Sequence, residues 1–213
     1  MVRRTATTVA NHQPANHQPP TTVFLLEREI KLLFDTAAEA RAAIAAAGAS
    51  PLRPRRLQDD ALFDTDDESL RQRGCTLRVR TERNAAGRPP DEVLLTLKGP
   101  VQPGSMKVRE EHETSIGDGA ALAHVLDALA LRIWFRYQKY REEFAAGDVT
   151  IAVDETPVGT FVEIEGGREA ILAMTRALGR EPADFILDSY YSLFIKRRDQ
   201  CGLVGPHMVF AAE

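Results

Sequence analysis

The run Glu27-Arg28-Glu29-Ile30-Lys31 sets two carboxylates and an ammonium at every second position, with apolar or oppositely turned residues between them. An extended chain sends alternate side chains to opposite faces, so Glu27, Glu29 and Lys31 share one face and Leu26, Arg28, Ile30 and Leu32 the other. Such a face suits a charged cavity that binds a metal ion together with an anion. The same pattern recurs downstream. Arg78 and Arg80 share a face with Thr76, and Lys98 shares one with Thr96. Arg109, Glu111 and Glu113 align, as do Lys139 and Arg141, and Phe161, Glu163 and Glu165, while Asp154 ends another strand-like stretch. Arginine forks grip phosphate oxygens bidentately, lysine supplies a compact charge, and carboxylates hold divalent cations that bridge phosphates. No glycine-rich phosphate loop of the GxxxxGK[ST] kind is present, so side chains must do the holding.

These residues need a scaffold of strands. Val23–Phe34, 75–83, 92–98, 106–115, 133–144, 149–154 and 160–165 read as strands, with a short one at 61–65 after breaks at Pro51 and Pro54. Ala145-Ala146-Gly147-Asp148 turns one hairpin. Helices are predicted from Asp35 or Thr36 to Ala47, over 117–131 and over 168–178, and a partly broken one over 184–197. An ordinary one-sided sheet would leave the charged face in water. The uniform Glu, Arg and Lys content instead suggests that the sheet closes. The fold class expected is α+β: an eight-stranded antiparallel β-barrel forming a charged tunnel, with helices packed on the outside over apolar outer faces. Charges withdrawn from bulk water in this way must be paired or must bind ions.

The chain of 213 residues is 44% hydrophobic and 27% charged, enough for one sizeable domain. A net charge of −4 offers no global basic field, so no nucleic-acid partner is expected. No apolar run approaches the about 18 residues that span a bilayer, and no apolar segment follows Arg3 and Arg4, so neither membrane nor secretion is expected. Cys75 and Cys201 form no metal-ligand spacing and no disulfide framework, which fits a reducing, cytoplasmic setting. Residues 1–22, with the repeat Asn11-His12-Gln13-Pro14 and Asn16-His17-Gln18-Pro19, read as a disordered tail, 23–198 as the tunnel domain and 199–213 as a C-terminal tail. His112, His124 and His207 stand at no metal-ligand spacing and read as surface or structural residues. Trp134, Phe135 and Tyr137 are able to stack on a base, although such aromatics more often pack a strand against a helix.

Taken in order, the motifs resemble the CYTH superfamily of triphosphate tunnel metalloenzymes, which includes class IV adenylate cyclases, thiamine triphosphatases and inorganic triphosphatases. The resemblance rests on Glu27-x-Glu29-x-Lys31, Leu77-Arg78-Val79-Arg80, Leu95-Thr96-Leu97-Lys98-Gly99-Pro100 and Val108-Arg109-Glu110-Glu111-His112-Glu113. It continues through Lys139-Tyr140-Arg141, Val153-Asp154, Gly159-Thr160-Phe161-Val162-Glu163-Ile164-Glu165 and Ser189-Tyr190-Tyr191-Ser192-Leu193, and so covers about residues 24–195. It implies Mg²⁺ or Mn²⁺ held among Glu27, Glu29, Glu111, Asp154, Glu163 and Glu165. It implies a triphosphate cradle of Lys31, Arg78, Arg80, Lys98, Arg109, Lys139 and Arg141, with Glu29, Lys31, Arg78 and Arg80 as the catalytic set. Lys196 lies near a position where some members supply another base. The implied activity is metal-dependent hydrolysis of a small-molecule triphosphate (inorganic, nucleoside or thiamine), by a monomer or homodimer. The alternatives are cyclisation of ATP to cyclic AMP and pyrophosphate, or non-catalytic binding of polyphosphate or nucleotide. Characterised class IV cyclases resemble one another in a His-Phe pair just before ExExK. This chain has Thr21-Thr22-Val23-Phe24 there, which favours a triphosphatase.

Overall fold

A computed structural model describes residues 25–84 and 92–211. The expected tail over 1–22 and the loop around Gly87 lie outside the described residues. Eight strands close an antiparallel barrel: β1 (Leu25–Phe34), β2 (Ser50–Asp64), β3 (Thr76–Asn84), β4 (Glu92–Lys98), β5 (Lys107–Ile116), β6 (Arg132–Ala146), β7 (Val149–Thr156) and β8 (Gly159–Gly166). Around the ring the order is β1-β5-β4-β3-β2-β6-β7-β8. The helices are α1 (Ala37–Ala46), α2 (Ser69–Gln72), α3 (Gly119–Ala128), α4 (Arg168–Ala177) and α5 (Tyr190–Arg197).

The barrel is inverted relative to most small barrels. The outward residues Ile30, Leu32, Ile151, Val153, Val162 and Ile164 form the main apolar core, and α1 and α4 cover it with Ala40, Ile44, Ile171 and Met174. Local sequence places these helices: the Thr36 hydroxyl accepts the Glu39 amide at the start of α1, and Gly48 follows its end at φ +82°.

The second strand differs from the expectation of a short segment after the prolines. β2 runs from Ser50 through both of them. Pro51 and Pro54 lie before Arg56, where the described pairing with β3 begins, and register shifts against β6 flank them. Those shifts accommodate the missing amides on a stretch that has only one partner among the described residues.

A second apolar cluster lies inside the ring. Phe135 and Tyr137 share the parity of Lys139 and Arg141, and Phe161 that of Glu163, yet all three pack with Tyr190, Leu193 and Phe194 of α5. So α5 sits against interior-facing residues at one end of the barrel rather than on its outer surface. Two backbone bridges extend the ring beside it. Ile186 exchanges hydrogen bonds with Lys31 (3.1 and 2.9 Å), and Met208 does so with Arg136 and Gln138 (3.0 and 2.8 Å). Among the described residues, no helix is long and apolar enough to cross a membrane, and both cysteines are free thiols.

Candidate active site

The interior holds a cavity of about 790 Å³. Every cradle residue expected from sequence lines it: Lys31, Arg78, Arg80, Lys98, Arg109, Lys139 and Arg141. Lys196 does not; it is exposed and bonds Asp188 at 2.8 Å.

On β1, Glu29 meets two ammoniums, Lys31 at 3.1 Å and Lys107 at 2.7 Å, and Lys31 also reaches Glu163 at 3.1 Å. Burial alone would raise the Glu29 carboxyl, but Lys31 and Lys107 override it and hold the group well below the carboxylate range. Lys98 bridges Glu27 (2.6 Å) and Glu111 (3.1 Å). On the facing side, the buried Asp60 accepts from Arg80 at 2.8 Å and lies 3.5 Å from Arg78. Arg78 also donates to Thr96 (3.0 Å) and Glu113 (3.3 Å). Arg109 stands apart: it is buried, and its fork donates to the Gly99 carbonyl (3.1 Å) and the Thr76 hydroxyl (3.0 Å), with no carboxylate in ion-pair range among the described residues. Burial lowers its pKa, against the more distant attraction of Glu27, Glu29 and Glu111.

Asp154 stands apart from the other carboxylates of the expected metal set. Its carboxylate is fully buried, does not line the cavity, and accepts from Lys139 (2.8 Å), twice from Arg141 (2.7 and 2.6 Å), and from the Tyr190 hydroxyl (2.5 Å). With those lone pairs occupied, it works as the anchor that aims Lys139 and Arg141 inward. Glu163 reaches the cavity but bonds Arg141 and Lys31.

Glu27, Glu29, Glu111 and Glu165 lie on the adjoining strands β1, β5 and β8. They suit a hard divalent ion in kind, being oxygen donors whose charges crowd one another. Burial and then Glu27 push Glu165 up to about 7, and burial, with Glu29 and Glu111 adding to it, raises Glu27 against the pull of Lys98. As they stand, the described His, Cys, Asp and Glu side chains form no ready group of three or more, because Lys98 and Lys107 draw Glu27, Glu111 and Glu29 onto themselves.

Several lining residues escaped the sequence reading. Lys107, Glu82 and Glu143 each continue by two residues a row already recognised (Arg109, Arg80, Arg141), so the alternation simply runs further than was read. Arg56 and Gln58, together with the buried Asp60 behind the wall, were hidden by the prolines before them. Arg56 is fully buried and bonds Glu82 and Glu143, both at 2.9 Å. Tyr190 comes from α5, and its ring lies beneath Lys139 (4.7 Å) and Lys31 (5.3 Å).

Lys139 gives a pH expectation. Burial and the neighbouring Arg141 lower it to about 8, against the attraction of Asp154 and Glu163. The charged form suits a polyanion and is present below that value, so affinity for tripolyphosphate as a probe anion should fall several-fold as pH rises through about 8. In Lys139→Met that limb should disappear and the affinity should be lower throughout. A Lys139→Met profile that still falls at pH 8 would assign the limb to another group.

A family model described as the CYTH domain matches residues 25–190. No curated protein sequence matches the chain. Solved structures share the fold. A Pyrococcus horikoshii protein is 26% identical, with 81% of this chain and 99% of that one covered and a TM-score of 0.69. A Vibrio parahaemolyticus protein named as a candidate adenylate cyclase is 19% identical, with 80% and 98% covered and a TM-score of 0.69. A Hippeastrum protein, named as a candidate adenylyl cyclase with a dominant triphosphatase activity, is 18% identical, with 84% and 98% covered and a TM-score of 0.57.

Proposed function

The chain belongs to the CYTH domain family, and on that premise we propose that it is a divalent-metal-dependent triphosphatase that cleaves the terminal phosphoanhydride of a triphosphate inside the barrel. The observation that carries this reading is Arg109, a buried guanidinium facing the cavity and held only by neutral oxygens. A buried charge without a counter-charge is costly unless an anion completes it.

In this reading Arg109, Arg78 and Lys98 hold phosphate oxygens from one wall, and Lys139 and Arg141 from the other. Their charges neutralise the oxygens between which negative charge redistributes as water attacks the terminal phosphorus in line. Asp60 and Asp154 fix the guanidinium planes beforehand, so no reorganisation is needed at the moment of reaction. Glu27, Glu29, Glu111 and Glu165 would hold Mg²⁺ or Mn²⁺, which supplies Lewis-acid neutralisation of phosphate oxygens. Lacking the His-Phe pair before ExExK, the chain reads as a hydrolase in preference to a cyclase.

The test is phosphate release from tripolyphosphate, ATP and thiamine triphosphate with Mg²⁺ or Mn²⁺, together with a cyclic AMP assay. Release of orthophosphate supports the proposal. Cyclic AMP and pyrophosphate from ATP would replace it with cyclisation, and binding without turnover would make the protein a carrier. Arg109→Ala should raise KM for tripolyphosphate about tenfold or more, the scale of one charge-assisted contact. An unchanged KM would remove Arg109 from the cradle.

A further inference from the structure

The cavity wall changes character along β2 and β6. Around Arg56, Gln58, Glu82 and Glu143 it is charged and internally paired. Six residues further along β2, about 20 Å, it becomes Leu62 beside Trp134 and Tyr191. The contact that seats α5 is centred on Phe135, Phe161 and Phe194, which are almost completely buried, and both rings touch its edge: Trp134 packs against that cluster and Tyr191 meets Phe135 edge to face at 5.0 Å. Tyr191 remains 37% exposed and Trp134 is half-buried, both on the cavity.

Trp134 is also the extra residue of a bulge. Leu62 pairs with Phe135 and Phe63 with Ile133, so Trp134 has no opposite number on β2. Bulges re-aim single side chains beside sites. The Trp134 ring meets Tyr191 edge to face at 4.9 Å, and the Arg71 guanidinium lies 4.3 Å from its centroid. Arg71 is held there by the buried Asp64 at 3.0 Å. Inorganic triphosphate has nothing to place against these rings.

We infer that Trp134, Tyr191 and Arg71 form a subsite for a planar ring, and that the substrate is a nucleoside triphosphate whose base stacks there while its phosphates reach the cradle. This rests on the triphosphatase reading and names its substrate class. Aromatic and guanidinium planes both stack on nucleobases. Arg71 is paired with Asp64 and Glu68, so it offers the base a guanidinium plane rather than a net charge.

Trp134 is the sole tryptophan, and its emission therefore reports on this subsite alone. The full chain is titrated with the β,γ-imido analogue of ATP and with tripolyphosphate, while calorimetry records binding of each. Quenching by the nucleotide, with binding but little quenching by tripolyphosphate, is expected. Equal responses to both, or nucleotide binding without any change in emission, overturn the subsite and leave the triphosphatase reading standing. Binding of neither ligand overturns both.

Steady-state kinetics give the second arm. Trp134→Leu should lower the preference for ATP over tripolyphosphate, measured by kcat/KM, about tenfold, the scale of one lost stacking contact, and Trp134→Phe should restore most of it. Arg71→Met should lower the preference for ATP over tripolyphosphate in the same direction, by removing a stacking plane. Equal losses on ATP and tripolyphosphate in Trp134→Leu would mean that the ring only supports the fold.

Discussion

Glu29→Gln is expected to lower triphosphate turnover by about a hundredfold or more while the barrel still folds. The magnitude follows from removing a charged oxygen donor at the place where a divalent ion would neutralise phosphate. Folding should survive because the glutamine carbonyl still accepts from Lys107, which donates to Glu29 Oε1 at 2.7 Å, and because Lys31 keeps Glu163 at 3.1 Å. Circular dichroism and a thermal melt check the fold, and Mg²⁺ titration of activity checks the cause. The variant should need more Mg²⁺ as well as turning over more slowly. Wild-type rates would sink the assignment of Glu29, and a slower enzyme with an unchanged Mg²⁺ requirement would place its effect on Lys31 and Lys107 instead.

Asp154→Asn should have the largest effect on stability, about 3 kcal/mol, which corresponds to roughly 10 °C in melting temperature for a chain of this size. The carboxylate is fully buried and is the ion-pair partner of Lys139 within range. Its amide would leave that ammonium buried and uncompensated. The pH dependence separates this cause from simple misfit. Burial raises Asp154, but Arg141 and Lys139 outweigh it and hold the folded-state pKa below the ordinary 3.8. A depressed carboxylate contributes stability that is complete above the unfolded value and is lost as pH falls through the folded one. The gap between wild type and variant should therefore be full at neutral pH and close in acid below 3.8. A gap that stays constant into strong acid would point to packing rather than charge.

The closed ring was legible wherever alternation ran uninterrupted. β8 shows charge on one parity and apolar residues on the other, β1 does so apart from Arg28, and β5 and β6 show the charged row alone, with Glu110 and His112 or Arg136 and Gln138 on the opposite parity. β2 was not legible. Pro51 and Pro54 read locally as breaks, and only the tertiary arrangement shows that they fall where β2 lacks a described β3 partner. The role of Asp154 was hidden for a different reason. On the sequence it is one more carboxylate in an acidic series, and its place beneath Lys139, Arg141 and Tyr190 depends on three groups converging from β6 and α5. Trp134 was visible as an aromatic able to stack, but the bulge that turns it into the cavity arises from pairing between β2 and β6, two elements far apart in the chain. Likewise, the hydrophobic spacing of α5 announces an amphipathic helix, whereas the interior-facing Phe135 and Phe161 that receive it are found only by closing the ring.

The pairing of Glu27 with Lys98 and of Glu29 with Lys107 has a thermodynamic consequence. A polyanion that draws those ammoniums to itself frees carboxylates, and a divalent cation that claims the carboxylates frees ammoniums. Each ligand thus pre-arranges the wall for the other. Linkage makes the effect reciprocal: whatever factor the cation adds to triphosphate affinity, the triphosphate must add to cation affinity. In the proposed reading the two would arrive as cooperating ligands, and the cavity would favour the chelated salt over either free ion.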